Sequence, residues 1–419
     1  MAQVAEAVRT PSVLDPRTEV LRDRARRFED DADPFIRGVI ATRVYRDLPD
    51  LPVVSKRAEI MARVLEALEP IVLPEERILG AVYRQRRGHA GVSDTEAWRR
   101  PVFYPERHGY QESWPLPEAV RQELKWWEGR EAWRNALPLR RNNAWLSRYA
   151  VASPSGNVGG HTLPDHGILL SAGVGALREQ IAERLERKVR EDQRDQLMAM
   201  DRVLEGLTAY CLRCARAARE KAHRVEDPTL RHRLEAAAEN CEAVASDPPA
   251  GLYGALQLVC FSNFVDMLNN PGDANSYGRI DRLLYPFYKR DIETGCLTRE
   301  AAFDLVCHFL IKVWAVQSSV NLTVGGVDED GADATSDLSA MFLDGMEATD
   351  MTMDISVRVH RDMPEHFLRT TARVVRKGFG RPSLFNDDVT MDAIVQKGVD
   401  LADARDYAPL GCVEGMIPG

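Results

Sequence analysis

From Gly251 onward, helix-like and strand-like stretches alternate, and that order constrains the fold more than any other feature of the chain. Gly251 to Asn269 and Arg299 to Ala315 read as apolar helices. Ser319 to Val324 and Asp354 to His360 read as strands, with a helix from Ser336 to Glu347 between them. Pro364 to Lys377, with proline near its first turn, predicts another helix, Ser383 to Phe385 a short strand and Thr390 to Lys397 a helix. Tyr407 to Val413 would close the series as a strand. Strands separated by helices pair in parallel through right-handed crossovers, which gathers their C-terminal ends at one rim. The expectation is an α/β fold with Cys412 at such an end.

Upstream the pattern differs. Residues 16 to 70 carry helical periodicity with charged faces, as in Thr18 to Phe28 and Val54 to Leu68. The stretch from 80 to 165 is rich in Trp, Pro, Gly and His and reads as long loops, which in a compact domain are functional or pack as lids. Val174 to Val225 has almost no Pro or Gly and predicts two long helices forming an outer buttress. A chain of 419 residues with 44% hydrophobic content buries a large core, in one large domain or two to three ordinary ones.

The formal net charge of -9 argues against a nucleic-acid partner, because neutralising phosphates needs a basic excess. Arg84 to Arg87 and Arg140-Arg141 read as solvated faces or ion-pair partners. The start, Met1 to Glu6, lacks the basic and apolar pattern of a leader, and nowhere do about 18 apolar residues run together, so no membrane partner is expected. Seven scattered cysteines fit a reducing compartment, and the expected location is cytoplasmic. Cys211 and Cys214 have CxxC spacing but sit in a helical run without a second pair nearby, so they read as helix packing and no metal site is expected.

The end of the chain carries the chemistry. In an extended segment alternate side chains share a face, so Cys412 and Glu414 would look into one space, with Val413 turned into the packing. A bland core cysteine needs only burial, but a flanking glycine and a glutamate on the same face are poor packing choices. A thiolate nucleophile wants a cationic neighbour, and a nearby carboxylate would raise its pKa instead. A thiyl radical needs neither, and it leaves the glutamate free as a base.

Five segments bring the third reading forward. Asp403 to Glu414 resembles the cysteine loop of glycyl radical enzymes, the family of pyruvate formate-lyase, glycerol dehydratase and choline trimethylamine-lyase. Gly380 to Asp388 is similar to that family's glycine-x-proline strand followed by Asn-Asp, and Asn321 to Asp328 to its Asn-Leu-x-x-Gly-Gly turn. Gly278 to Tyr288 matches its Gly-Arg-x-Asp-x-x-x-Tyr-Pro stretch, and Gly160 to Asp165 its Gly-His-x-x-Pro-Asp loop. The resemblance covers residues 35 to 419, with 1 to 34 as an N-terminal extension. It implies half of a ten-stranded barrel, parallel strands with outer helices, preceded by an N-terminal helical region.

The resemblance also implies roles. Cys412 would be the thiyl residue that takes hydrogen from a small-molecule substrate, and Glu414 the base that promotes loss of water or an amine. Glutamate at this position resembles dehydratases, C-N lyases and some decarboxylases. Pyruvate formate-lyase has a second cysteine where this chain has Gly411. His161 and Asp165 fall in a loop that contacts substrate in several members, although Asp165 also suits a helix cap. Asp273 stands where glycerol-dehydratase-like members carry His-Ser, which speaks against glycerol and for a cationic or multiply hydroxylated substrate. Arg358, on a strand, would pair with Asp354 or with a substrate acid.

The implied cofactor is a protein glycyl radical, installed by a radical S-adenosylmethionine activating enzyme. Nothing here resembles the Arg-Val-x-Gly-Tyr run that holds the radical glycine, so the chain would need a C-terminal half or second polypeptide, with a homodimer as the complete form. Alternatives are an arylacetate-type radical decarboxylase, with the Trp-rich 98 to 145 region lining its pocket, or a silent half-enzyme acting as an interaction protein.

Overall fold

The computed structural model describes residues 13–27, 36–80, 117–127, 161–269, 275–316, 320–411 and 413–418. Helices α1 (Pro16–Arg27), α2 (Ile36–Asp47), α3 (Val53–Ala67) and α4 (Glu118–Leu124) come first. They are followed by α5 (His166–Glu186), α6 (Glu191–Ala222) and α7 (Pro228–Ala243). These last three include the buttress expected from 174 to 225. α6 runs for 32 residues and buries Leu207, Tyr210, Cys211, Cys214, Ala215, Ala218 and Ala222, one helical stripe. Cys211 and Cys214 are fully buried in that stripe, where burial pushes the Cys214 thiol up to about 12. At the start of α7, Asp227 Oδ1 accepts from Thr229 N–H at 2.8 Å and Pro228 occupies the first turn, where its missing N–H costs nothing.

The second half alternates as expected: α8 (Leu252–Asn269), β1 (Asn275–Arg279), α9 (Ile280–Glu293), α10 (Arg299–Val316), β2 (Val320–Gly325), α11 (Asp337–Thr349), β3 (Asp354–Val359), α12 (Glu365–Val375) and β4 (Ser383–Asn386). Then come α13 (Asp387–Val395), α14 (Leu401–Arg405), β5 (Ala408–Leu410) and β6 (Glu414–Met416). α13 starts earlier than the expected Thr390, because Asn386 Oδ1 caps it by accepting from Asp388 N–H at 3.0 Å. α1, within the expected N-terminal extension, lies against α10: Leu21 packs with Ile311, and Thr18 Oγ1 donates to Asp304 Oδ1 at 2.6 Å. Among the described residues no helix is long and apolar enough to cross a membrane.

Strands β1 to β4 form one parallel sheet in the order β1-β2-β3-β4. Its two faces differ sharply. Leu322, Val324, Ile355 and Val357 join the main hydrophobic core, whereas Asn321, Thr323, Ser356 and Arg358 alternate with them and are buried polar groups. Asn321 Nδ2 donates to Ser356 Oγ at 2.9 Å across the strands. The polar face is the one that β5 covers, since Ser276 Oγ on β1 lies 3.1 Å from Pro409 O.

Two expectations are corrected here. Tyr407 to Val413 is not one strand: β5 ends at Leu410, Gly411 turns the chain at φ +58°, and β6 returns antiparallel with Leu410 opposite Glu414. Nor does this stretch end at the strand C-terminal rim. Arg279, the last residue of β1, holds Arg405 O at 3.1 Å, while Ser276 near the start of β1 meets Pro409, so β5 runs back along β1. β1 itself was not expected as a strand, because Asn275-Ser276-Tyr277-Gly278-Arg279 carries no β-branched residue, yet all five are buried.

Candidate active site

Glu414 opens β6, and its carboxylate bends back over the turn, where Oε2 accepts from Val413 N–H at 3.0 Å. A β-carbon built on Gly411 would stand 2.7 Å from Glu414 Oε2 and 2.9 Å from His161 Nε2. Carboxylate and imidazole therefore close on the same backbone point, and the absence of a side chain at Gly411 makes the approach feasible. His161 also has a left-handed backbone, φ +57°, uncommon outside glycine and costing roughly 1–2 kcal/mol. Both side chains are solvent-exposed among the described residues. Cys412 lies outside the described residues, as does Asp273.

The loop that carries His161 is fixed on both sides. Thr162 O accepts from Ser276 N–H at 2.9 Å, and Thr162 Oγ1 donates to the Asp266 carboxylate on α8. Asn275 Nδ2 donates to the same Asp266 Oδ2 at 2.9 Å, and burial raises the carboxyl pKa of Asp266. Leu163 packs with Ala408 and Leu410. The loop and the β5–β6 hairpin thus share one small apolar contact beneath the two polar side chains. Asp266 had no signal of its own in the sequence, since a lone aspartate late in an apolar helix looks like its solvent edge.

Asp165 sits at the cap of α5, Oδ1 accepting from Gly167 N–H at 2.8 Å. It also lines, with His166, Tyr277, Arg279, Arg282 and Pro418, a cavity of about 220 Å³. His166 is buried beside the Tyr277 ring, its Nδ1 is 3.0 Å from Ser262 Oγ, and burial lowers its pKa to about 4. It is therefore a neutral imidazole near pH 7. Its Nε2 has no hydrogen-bond partner among the described residues.

Arg358 does not pair with Asp354, which instead binds Arg381 Nε at 2.7 Å. Its partner is Asp387 on α13, with Nε to Oδ1 and Nη2 to Oδ2 both 2.8 Å. Both side chains are fully buried. The Asn-Asp-Asp run that follows β4 was the available signal, read for its resemblance and not for its charge. Most of the Trp-rich 98 to 145 region lies outside the described residues. Trp127, inside them, packs on Tyr45 at 5.1 Å between centroids and donates Nε1–H to Thr42 Oγ1 at 2.8 Å, a packing role. Among the described residues no group of three or more His, Cys, Asp or Glu side chains is placed to hold a metal ion.

Comparison with known proteins places the chain in a family. A family model described as pyruvate formate lyase-like matches residues 14–419. The chain is 33% identical to (2S)-3-sulfopropanediol dehydratase of Klebsiella oxytoca over 282 residues, 62% of this chain and 34% of that protein. It is 30% identical to the probable dehydratase YbiW of Escherichia coli (strain K12) over 427 residues, 90% of this chain and 51% of that protein. The fold matches that of the B12-independent glycerol dehydratase from Clostridium butyricum with a TM-score of 0.85 at 24% sequence identity, over 98% of this chain and 56% of that one. The chain thus spans between a third and somewhat over half of the length of these proteins. With the family model matched from Leu14 to the last residue and the α/β architecture shared, the chain belongs to the pyruvate formate lyase-like family, the glycyl radical enzymes.

Proposed function

We propose that the chain is the thiyl-bearing half of a glycyl radical lyase that eliminates water or an amine from a small polar substrate. The observation that carries the reading is the convergence of Glu414 Oε2 and His161 Nε2 at Gly411, one residue from Cys412. A protein glycyl radical, delivered through Cys412, would supply homolytic removal and return of a hydrogen atom at a substrate carbon. Val413 and Glu414, just after Gly411, are exposed, which leaves room for a further segment to approach.

The chain's own groups then handle protons. Once a carbon bearing a hydroxyl carries an unpaired electron, that hydroxyl becomes acidic, and Glu414 Oε2 is the acceptor for its proton. The group on the neighbouring carbon leaves with its electron pair and needs a proton, which His161 Nε2 supplies when protonated, or which passes back from the Glu414 carboxyl. A β-carbon at residue 411 would intrude on both groups, so the second cysteine of pyruvate formate-lyase does not suit this turn. Asp165, which lines the cavity of about 220 Å³ together with Pro418, would orient the substrate's polar end, and Asp273 would meet a cationic or hydroxylated end.

In this reading the exposed side of the β5–β6 hairpin, with Glu414 and His161, is one wall of a substrate chamber, and a segment bearing the radical glycine would complete it. β4 at the sheet edge, with Leu384 57% exposed and Val389 64% exposed beside it, supports that completion. A radical S-adenosylmethionine activating enzyme is the other partner.

The test is anaerobic assay of the chain joined to a family C-terminal segment, after activation, against a panel of vicinal diols, amino alcohols and hydroxysulfonates. Elimination products should form with the native residues, disappear in Cys412→Ser, and fall on the order of 10²- to 10⁴-fold in Glu414→Gln. Product formation by Cys412→Ser would overturn the radical reading; full activity in Glu414→Gln would remove the glutamate from the elimination.

A further inference from the structure

We infer that Arg358, Asp387 and Tyr407 form a positioning unit that sets the β5–β6 hairpin, and with it Glu414, at its working distance from His161. The relevance to turnover rests on the function proposed above; the geometry does not. Tyr407 immediately precedes β5, and its carbonyl oxygen accepts from Arg358 Nη1 at 2.8 Å. Its hydroxyl donates to Asp387 Oδ1 at 2.8 Å. Its ring lies against the guanidinium, 4.0 Å from carbon to centroid. Asp387 Oδ2 receives a further bond from Val327 N–H at 3.3 Å. The carboxylate therefore meets four donors, and the guanidinium three acceptors and one aromatic face. A β-carbon on Gly326, φ +84°, would stand 2.7 Å from Arg358 Nε, so the Gly-Gly turn after β2 gives the guanidinium its slot.

Stability alone is a weak reason for this arrangement. Desolvating two charges offsets most of their attraction, and apolar replacements of similar volume are commonly as stable. What the fork of a bidentate guanidinium adds is direction: it fixes a backbone carbonyl at a set angle and height above the strand. Here that carbonyl belongs to the residue from which the hairpin hangs. From Tyr407 the chain runs through β5, pinned again where Ser276 Oγ meets Pro409 O, to Gly411. The Leu410–Glu414 pairing then places the carboxylate. Tyr407 Cδ2 also lies 3.6 Å from the β-carbon position of Gly415, so the ring touches the strand that carries Glu414. A displaced Tyr407 would move both strands together.

The experiment uses the full chain labelled with ¹⁵N-histidine and long-range imidazole spectra, with the His161 signals assigned from His161→Gln. Glu414→Gln shifts the His161 ring resonances because carboxylate and imidazole are neighbours. In a Tyr407→Phe background, which keeps the ring and carbonyl but loses the hydroxyl bond to Asp387, the same Glu414→Gln change should move His161 at least about twofold less. The signals of His308 on α10, whose Nε2 lies 3.0 Å from Thr18 Oγ1 on α1, should stay in place. An undiminished response in Tyr407→Phe, or equal movement at His308, would overturn the positioning role. Arg358→Lys, which keeps a positive charge beside Asp387 but cannot hold the carboxylate and Tyr407 O together, gives the same reading if the first variant folds poorly. No radical, substrate or second polypeptide enters the measurement, so its outcome is independent of the activity assay.

Discussion

His161 and Gly411 face each other with left-handed backbones, φ +57° and +58°, and the imidazole Nε2 stands 2.9 Å from where a β-carbon on the glycine would lie. The strain falls on His161 alone, since glycine adopts this conformation freely, and it is held where the bare Gly411 admits the imidazole, the arrangement expected where geometry serves a purpose other than stability.

Gly411→Ala tests that point. The alanine would pay the left-handed cost of roughly 1–2 kcal/mol and would push against both Glu414 and His161. Thermal unfolding should show a modest loss of that size, whereas elimination activity of the completed enzyme should fall by about 10²-fold, as a displacement near 1 Å would produce. Equal activity in Gly411→Ala would mean that the approach of the two side chains is not used.

Arg358 and Asp387 lend themselves to a double-mutant cycle. Removing either partner alone, by Arg358→Met or Asp387→Leu, strands a fully buried charge and should cost about 3–5 kcal/mol in urea unfolding. The double variant should recover most of that loss. If the single variants cost under about 1 kcal/mol, the pair is hydrated in solution and the burial seen here is incomplete.

Ser276→Ala removes the hydroxyl that lies 3.1 Å from Pro409 O and accepts from Gly278 N–H at 3.1 Å. The orphaned groups should cost about 1–3 kcal/mol. Hydrogen exchange should rise first at Leu410 and Glu414, the hairpin pair, before it rises in α6 or α8. Uniform exchange across all three would contradict a local anchoring role.

Acid should destabilise the fold through two buried imidazoles. Burial lowers His166 to about 4 and His308 to about 3. Between those values and the unfolded pKa of about 6.5, the unfolded state binds more protons than the folded one, so stability is complete above about pH 6.5 and declines as pH falls toward 4. At about 1.4 kcal/mol per pKa unit each site contributes on the order of 3 kcal/mol to that decline. Urea midpoints measured from pH 7 to pH 4 should fall, and His166→Gln should make the fall shallower. An unchanged slope in that variant would assign the acid sensitivity elsewhere.

The alternation of helix and strand after Gly251 was readable because the core-facing residues of β2 and β3 are β-branched or Leu and because proline and glycine punctuate the segments. β1 was hidden, since a strand buried by polar groups on one face and a bent Gly-Arg end carries no apolar period. The hairpin was misread for a related reason: Tyr407 to Val413 has the composition of a strand, and only the left-handed requirement at Gly411, a tertiary matter, turns it back. His161 and Asp165 were singled out through the resemblance of Gly160 to Asp165 to a family loop, and Glu414 through its spacing from Cys412 together with the resemblance of that stretch. What could not be seen was which of them meet, because the contact of His161 with the Glu414 turn joins residues some 250 positions apart. Arg358 was noticed as a charge on a strand, but its partner lies across a crossover and not on its own strand.

The two anchors of the hairpin both seize main-chain oxygens, Tyr407 O by Arg358 and Pro409 O by Ser276. Neither grip reads a side chain beyond residue 409. The tip beyond Gly411 is consequently a replaceable cartridge: its reactive groups can be exchanged by substitution or grafting while the mount and the bare glycine at the turn stay the same, which gives one scaffold a route to different eliminations without refashioning its core.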